Sequence, residues 1–127
     1  MEFLEEVKSL GFNIDDAIER FMGNSALLEK MIKMLPSSVY PSRFGGNKED
    51  DMEVLAYIES GNLKTAVEKA HTLKGMMGNL SLNRLYIPYT KLVDLLRAGD
   101  TQNSLVLIKK IVPVQEEIIS KIIELRK

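Results

Sequence analysis

Apolar residues recur at intervals of three and four along nearly the whole of this 127-residue chain, with no convincing run of strand-like alternation between hairpin turns. Such a pattern buries apolar side chains on helices, so the expected fold class is all-α. Phe3, Leu4, Val7 and Leu10 outline a short first helix that Gly11 stops, and Asn13 is placed to cap the next. That segment uses Ile14, Ala17, Ile18 and Phe21, breaks near Gly23 and Asn24, and resumes with Leu27, Leu28, Met31, Ile32 and Leu35. Pro36 is expected to end or bend it, and residues 36–51, with two prolines and two glycines, are expected as an exposed loop.

Helical spacing returns at Met52, Leu55, Ala56 and Ile58 and closes at Gly61, with Asn62 as the following cap. Leu63, Ala66, Val67, Ala70, Leu73 and Met77 mark one helix, and Leu82, Leu85, Tyr86, Tyr89, Leu92, Val93 and Leu96 the next. After Gly99 and Asp100, the last segment offers Leu107, Ile111, Val114, Ile118, Ile122 and Leu125. Pro88 and Pro113 lie inside these patterns and are expected to kink their helices. Four sizeable helices joined by tight turns predict an antiparallel four-helix bundle with additional short N-terminal helices, in a single domain spanning 1–127. The seven methionines sit at core spacing and are expected as adaptable packing, with Tyr86 and Tyr89 also in the core.

Composition narrows the function. Hydrophobic residues make up 45% and charged residues 28%, as in a globular protein, and no apolar stretch approaches bilayer-spanning length. Met1 to Leu10 carries three glutamates where a signal peptide would be basic, so a cytoplasmic protein is expected, without membrane contact. The absence of cysteine removes disulfides, thiolate metal sites and cysteine nucleophiles together. A net charge of −1 argues against nucleic acid as a partner, although residues 61–99 hold six basic side chains against two acidic ones. A local cationic patch suits an acidic protein or a phosphorylated group.

The only histidine, His71, lies on the helix marked by Ala66, Ala70 and Leu73, about 120° from the centre of its apolar stripe. The ring is therefore expected in solvent on a rigid support, with a nitrogen lone pair available as a nucleophile. Gly75 and Gly78 follow at i+4 and i+7 on the same face, where glycine costs a helix about 0.5–1 kcal/mol each relative to alanine. Two such positions beside one exposed imidazole are expected to clear a partner's approach. Lys74, at i+3, is placed to neutralise charge on transferring phosphoryl oxygens.

The run His71-Thr72-Leu73-Lys74-Gly75, preceded by Ala70 and a Gly-Asn turn and followed by a long amphipathic helix, resembles the signature of histidine phosphotransfer domains. The likeness spans roughly Gly11 to Lys121, with residues 70–80 its specific part. It implies a four-helix bundle relaying phosphate between aspartates of receiver domains, His71 being the phosphorylated residue, Lys74 its neighbouring lysine and Gly75 the small residue that clears the docking face. The implied partners are response-regulator receiver domains and a histidine kinase; the chain itself would be a monomer without a cofactor, Mg²⁺ coming from the receiver. Docking is expected on the face bearing Lys64, Glu68, His71, Gly75 and Gly78. Met76 stands where the family usually has serine or alanine, Ser81 where a glycine is common, and the loop 36–51 interrupts what the family builds as one helix.

Other chemistries fit poorly. Glu68-x-x-His71 has the spacing of carboxylate-bridged di-metal bundles, but such sites need a second histidine. No nucleophile-elbow pattern supports a serine hydrolase, and without a Gly-x-x-x-x-Gly-Lys loop an autonomous ATP-dependent kinase is excluded. The alternative of another class is a helical-bundle adaptor that binds a receiver or other signalling protein without being phosphorylated.

Overall fold

The computed structural model describes residues 2–45 and 53–127, and among these the chain is helical throughout, with no strand beyond one isolated bridge between Phe12 and Leu82. In chain order the helices are α1 (Glu2–Val7), α2 (Ile14–Arg20), α3 (Ser25–Val39), α4 (Val54–Glu59), α5 (Leu63–Asn79), α6 (Asn83–Arg97) and α7 (Thr101–Leu125). Met52 and residues 46–51 of the expected loop lie outside the described residues. None of the described helices is long and apolar enough to cross a membrane.

Side-chain caps start the helices where the sequence offers them. The side-chain oxygens of Asn13, Asn24, Asn62 and Asp100 accept from the amides of Asp16, Leu27, Thr65 and Asn103, each satisfying a donor that the first turn leaves orphaned. Buried apolar side chains from all seven helices form one cluster. Helix α6 packs between α5 and α7, α4 bridges α5 and α7, and α3 lies on α7.

Pro36 does not end its helix. It is buried within α3, which continues to Val39, and Pro41–Phe44 then forms a 3-10 turn, so the expected loop is helical over its first residues. A proline inside a helix costs about 3 kcal/mol, and burial of its ring beside Leu35 and Val39 offsets that cost. Helices α6 and α7 likewise run through Pro88 and Pro113. In α4 the buried face is Val54 and Ile58, while Leu55 and Ala56 are only half-buried.

Helix α7 buries Ile111, Ile118 and Ile122 of its expected stripe but not Leu107, Val114 and Leu125. Ser104, Ile108, Ile111, Gln115, Ile118 and Ile122 are buried, spaced alternately four and three residues apart, whereas Leu107, Val114 and Leu125 sit half-buried at its margins. Two of those core positions are polar. Gln115 is satisfied by tyrosines: Tyr89 Oη donates to its Oε1, and its Nε2 donates to Tyr40 Oη at 2.9 Å. Tyr40 also hydrogen-bonds Glu116, whose carboxylate grips Arg43 through bonds of 2.8 and 3.1 Å. A polar thread thus runs from the core of α6 and α7 to the surface beside the 3-10 turn.

The N-terminal helices are tied to the turn between α5 and α6. Phe12 bridges Leu82, the Asn13 amide donates to the Ser81 carbonyl at 2.9 Å, and the Ser81 hydroxyl donates to Asp16. Ser81 holds a left-handed φ of 53°, the conformation that glycine would adopt without strain. Gly11 faces the same turn with φ 107°, and an added Cβ there would stand 2.5 Å from the Cβ of Arg84. Gly11→Ala combines a disfavoured backbone with an overlap against the root of a side chain and should cost about 2–4 kcal/mol. Urea unfolding reads this directly, and a loss below about 1 kcal/mol would show that the two segments separate easily.

Candidate functional site

His71 stands at the midpoint of α5, away from fraying ends, and its ring is exposed. Its neighbours Ala70 and Leu73 are 0% and 5% exposed, so the backbone beneath it is seated on the core. The residues of this helix expected in the core divide into Ala66, Ala70, Leu73 and Met77, which are buried, and Leu63 and Val67, which are half-buried. Among the described residues no hydrogen bond or ion pair engages the His71 ring or the Lys74 ammonium. An unengaged imidazole keeps both nitrogens accessible to an incoming group.

Lys64, Glu68 and Gly75 are exposed with His71, and Lys74 is half-buried along its stem. Thr72 donates its hydroxyl to the Glu68 carbonyl at 3.0 Å, an intrahelical bond that keeps that side chain from projecting. Beyond Gly75 there is open space: a Cβ added there meets nothing within 4 Å. Gly78 is different. Its missing Cβ is filled from within the chain, because a methyl group there would stand 2.8 Å from Cε1 of Tyr86 on α6. The half-buried Tyr86 ring lies against that glycine, so the missing side chain at Gly78 allows the close approach of α5 to α6. Of the two glycines, Gly75 is the one with open space beside it.

The core spacing of the methionines predicts burial, and most of the described ones are not buried. Met1 and Met52 lie outside the described residues; of the other five only Met77 is buried, while Met22, Met31 and Met34 are 94%, 40% and 46% exposed and Met76 is half-buried. Phe21, Leu27, Met31, Met76 and Leu80 line a groove of about 600 Å³ where α2 and α3 meet the end of α5. A second groove, of about 410 Å³, adjoins it along α5, sharing Ser38 and Met76, with Tyr57, Thr65, Glu68 and Thr72 on its walls. Among the described residues no three histidine, aspartate or glutamate side chains gather as a metal site, so Glu68 and His71 have no third ligand there.

No protein-family model, curated protein or solved structure matches this chain.

Proposed function

We propose that the chain is a phosphorelay intermediate of the histidine phosphotransfer kind, built on an antiparallel four-helix bundle with a cover of short N-terminal helices. One observation carries the reading: a single unengaged imidazole stands in solvent at the centre of a core-seated helix, with bare backbone one turn further on. A ring nitrogen of His71 attacks the phosphorus of a receiver's aspartyl phosphate in line. The N–P bond forms as the acyl P–O bond breaks, the carboxylate of the receiver leaves with the electron pair, and the second ring nitrogen releases its proton to water. Attack by another receiver's aspartate on the phosphoramidate reverses these events.

Phosphoryl transfer asks little covalent work of such a scaffold, because positioning and charge neutralisation govern its rate. The receiver supplies Mg²⁺, and Lys74 adds a cation beside the transferring oxygens. The partners are receiver domains and a histidine kinase in the cytoplasm. The experiment is incubation of the chain with a receiver bearing labelled aspartyl phosphate, followed by measurement of acid-labile, alkali-stable label on the chain. Absence of label with every receiver from the same genome rejects the relay and leaves the adaptor.

Two variants dissect the site in the same assay. Lys74→Glu should slow transfer roughly tenfold or more while changing receiver affinity by less than about threefold, since a charge beside the reacting oxygens matters most in the transition state. Equal rates in variant and parent reject that role. Gly75→Ala separates folding from docking. Alanine in an exposed helical position with free space should raise stability by about 0.5–1 kcal/mol. If a receiver must press against that backbone, the stabilised variant should nonetheless accept phosphate roughly tenfold more slowly; unchanged transfer removes the clearance role.

A further inference from the structure

A second surface, away from the imidazole, has the chemistry of a docking groove. Helices α6 and α7 leave two adjoining hollows of about 210 and 320 Å³ between them, which share Leu107 and Lys110. Arg84 and Val114 line one end and Leu95 and Asn103 the other. The span from Arg84 to Leu95 is about 16 Å of helix, the length of roughly three helical turns. The floor is apolar, from Pro88 through Leu107, and Val106 stands 50% exposed on the rim.

The charges around this floor are of one sign. Arg84, Lys91 and Lys110 line it, and none of its lining residues is a carboxylate. Arg84 pairs with Glu117 at 3.5 Å, but among the described residues Lys91 and Lys110 have no ion-pair partner. Two ammonium groups without ion-pair partners, on α6 and α7 along one apolar trough, hold a positive potential that an anionic ligand relieves. The trough is a concave strip between two helices, which suits one helix laid along it better than a flat bilayer, whose insertion needs protruding apolar side chains.

We propose that the α6–α7 groove binds an acidic amphipathic helix of a partner protein, its apolar side chains at i, i+3 or i+4 and i+7 on Leu107 and Pro88 and its flanking carboxylates on Lys91 and Lys110. This goes beyond the relay reading, because a segment held here leaves His71 open and can tether a kinase or receiver while phosphate moves on the α5 face. Nothing in it requires the histidine to be phosphorylated.

The probe is a fluorescein-labelled synthetic helix of about 14 residues with leucines at that spacing and glutamates on both flanks, compared with the same peptide carrying lysines in their place. The glutamate peptide should raise anisotropy with the full chain, shift the amides of Leu95, Val106 and Leu107 most, and lose at least roughly tenfold in affinity between about 50 and 300 mM salt. Lys91→Glu with Lys110→Glu, both at exposed positions, should abolish that binding and leave phosphoryl acceptance by His71 at the parent rate. Equal binding of both peptides, binding unchanged in the double variant, or shifts confined to the methionine-lined groove would each overturn the proposal. So would sedimentation of the chain with anionic phospholipid vesicles in place of peptide binding.

Discussion

Replacing His71 by glutamine should leave the fold intact and reduce phosphoryl acceptance from a phosphorylated receiver to background. The side chain is exposed and makes no hydrogen bond or ion pair among the described residues, so its replacement breaks none and uncovers little of the core. Glutamine is a good helix former, and the change in stability should stay within about 0.5 kcal/mol. The loss is chemical: an amide nitrogen has no available lone pair with which to open the acyl phosphate. Residual label on the variant would place the acceptor elsewhere, and label on neither protein would favour the adaptor. Receiver affinity, measured separately, should change little, since the bulk and polarity of the position are kept.

Gln115→Ala should produce the largest loss of stability from any single polar side chain, about 3–5 kcal/mol. Tyr89, Tyr40 and Gln115 are 1%, 3% and 5% exposed, so no bulk water replaces the amide when it is removed. Burial pushes the hydroxyls of both tyrosines well above the ordinary phenol range, which keeps them neutral and in need of partners. Truncation leaves the Tyr89 proton without an acceptor and takes the amide donor from Tyr40, each at about 1–3 kcal/mol, and opens a cavity besides. For a chain of this size that corresponds to a fall in Tm on the order of 10–15 °C. Gln115→Met restores the volume without the hydrogen bonds and should recover only the cavity part. Thermal melts of the two variants separate the contributions, and an alanine variant losing less than about 1 kcal/mol would mean that the thread contributes nothing to the core.

Much of the scaffold is legible in the amino-acid sequence because local rules and tertiary packing agree there. The caps expected at Asn13 and Asn62 form, the breaks at Asn24 and Asp100 prove to be caps as well, and the buried faces of α5 and α6 follow the apolar spacing. His71 is exposed for the same reason: it lies off a well-defined stripe. The pattern fails where it is overfull or polar. Helix α3 carries a wide apolar arc opposite Glu29, Lys30, Lys33 and Ser37, so periodicity cannot choose within that arc between Leu28 and Ile32, which are buried, and Leu27, Met31 and Met34, which are not. On α7, Ser104 and Gln115 hold core positions that a hydrophobicity pattern reads as surface. Gln115 becomes intelligible only when Tyr40 and Tyr89, distant in sequence, are brought to it.

Around the imidazole the same division applies. Exposure of His71 and the open space at Gly75 follow from helical geometry alone, whereas the place of Gly78 depends on which ring the next helix lays across it. Two adjacent glycines on one face have opposite occupations. No signal within α5 distinguishes them, although an aromatic residue four positions into the facing helix, Tyr86, was a candidate for closing over the nearer one.

Ser81 carries a larger consequence than its size suggests. A left-handed serine at the bend between two long helices holds its shape because the chain's first twenty residues reach across to it, through the Asn13 amide and the Asp16 carboxylate. The opening helices thus act as a splint on the elbow below His71, and a fragment pared back to Asn24 would present its nucleophile from a loosened joint.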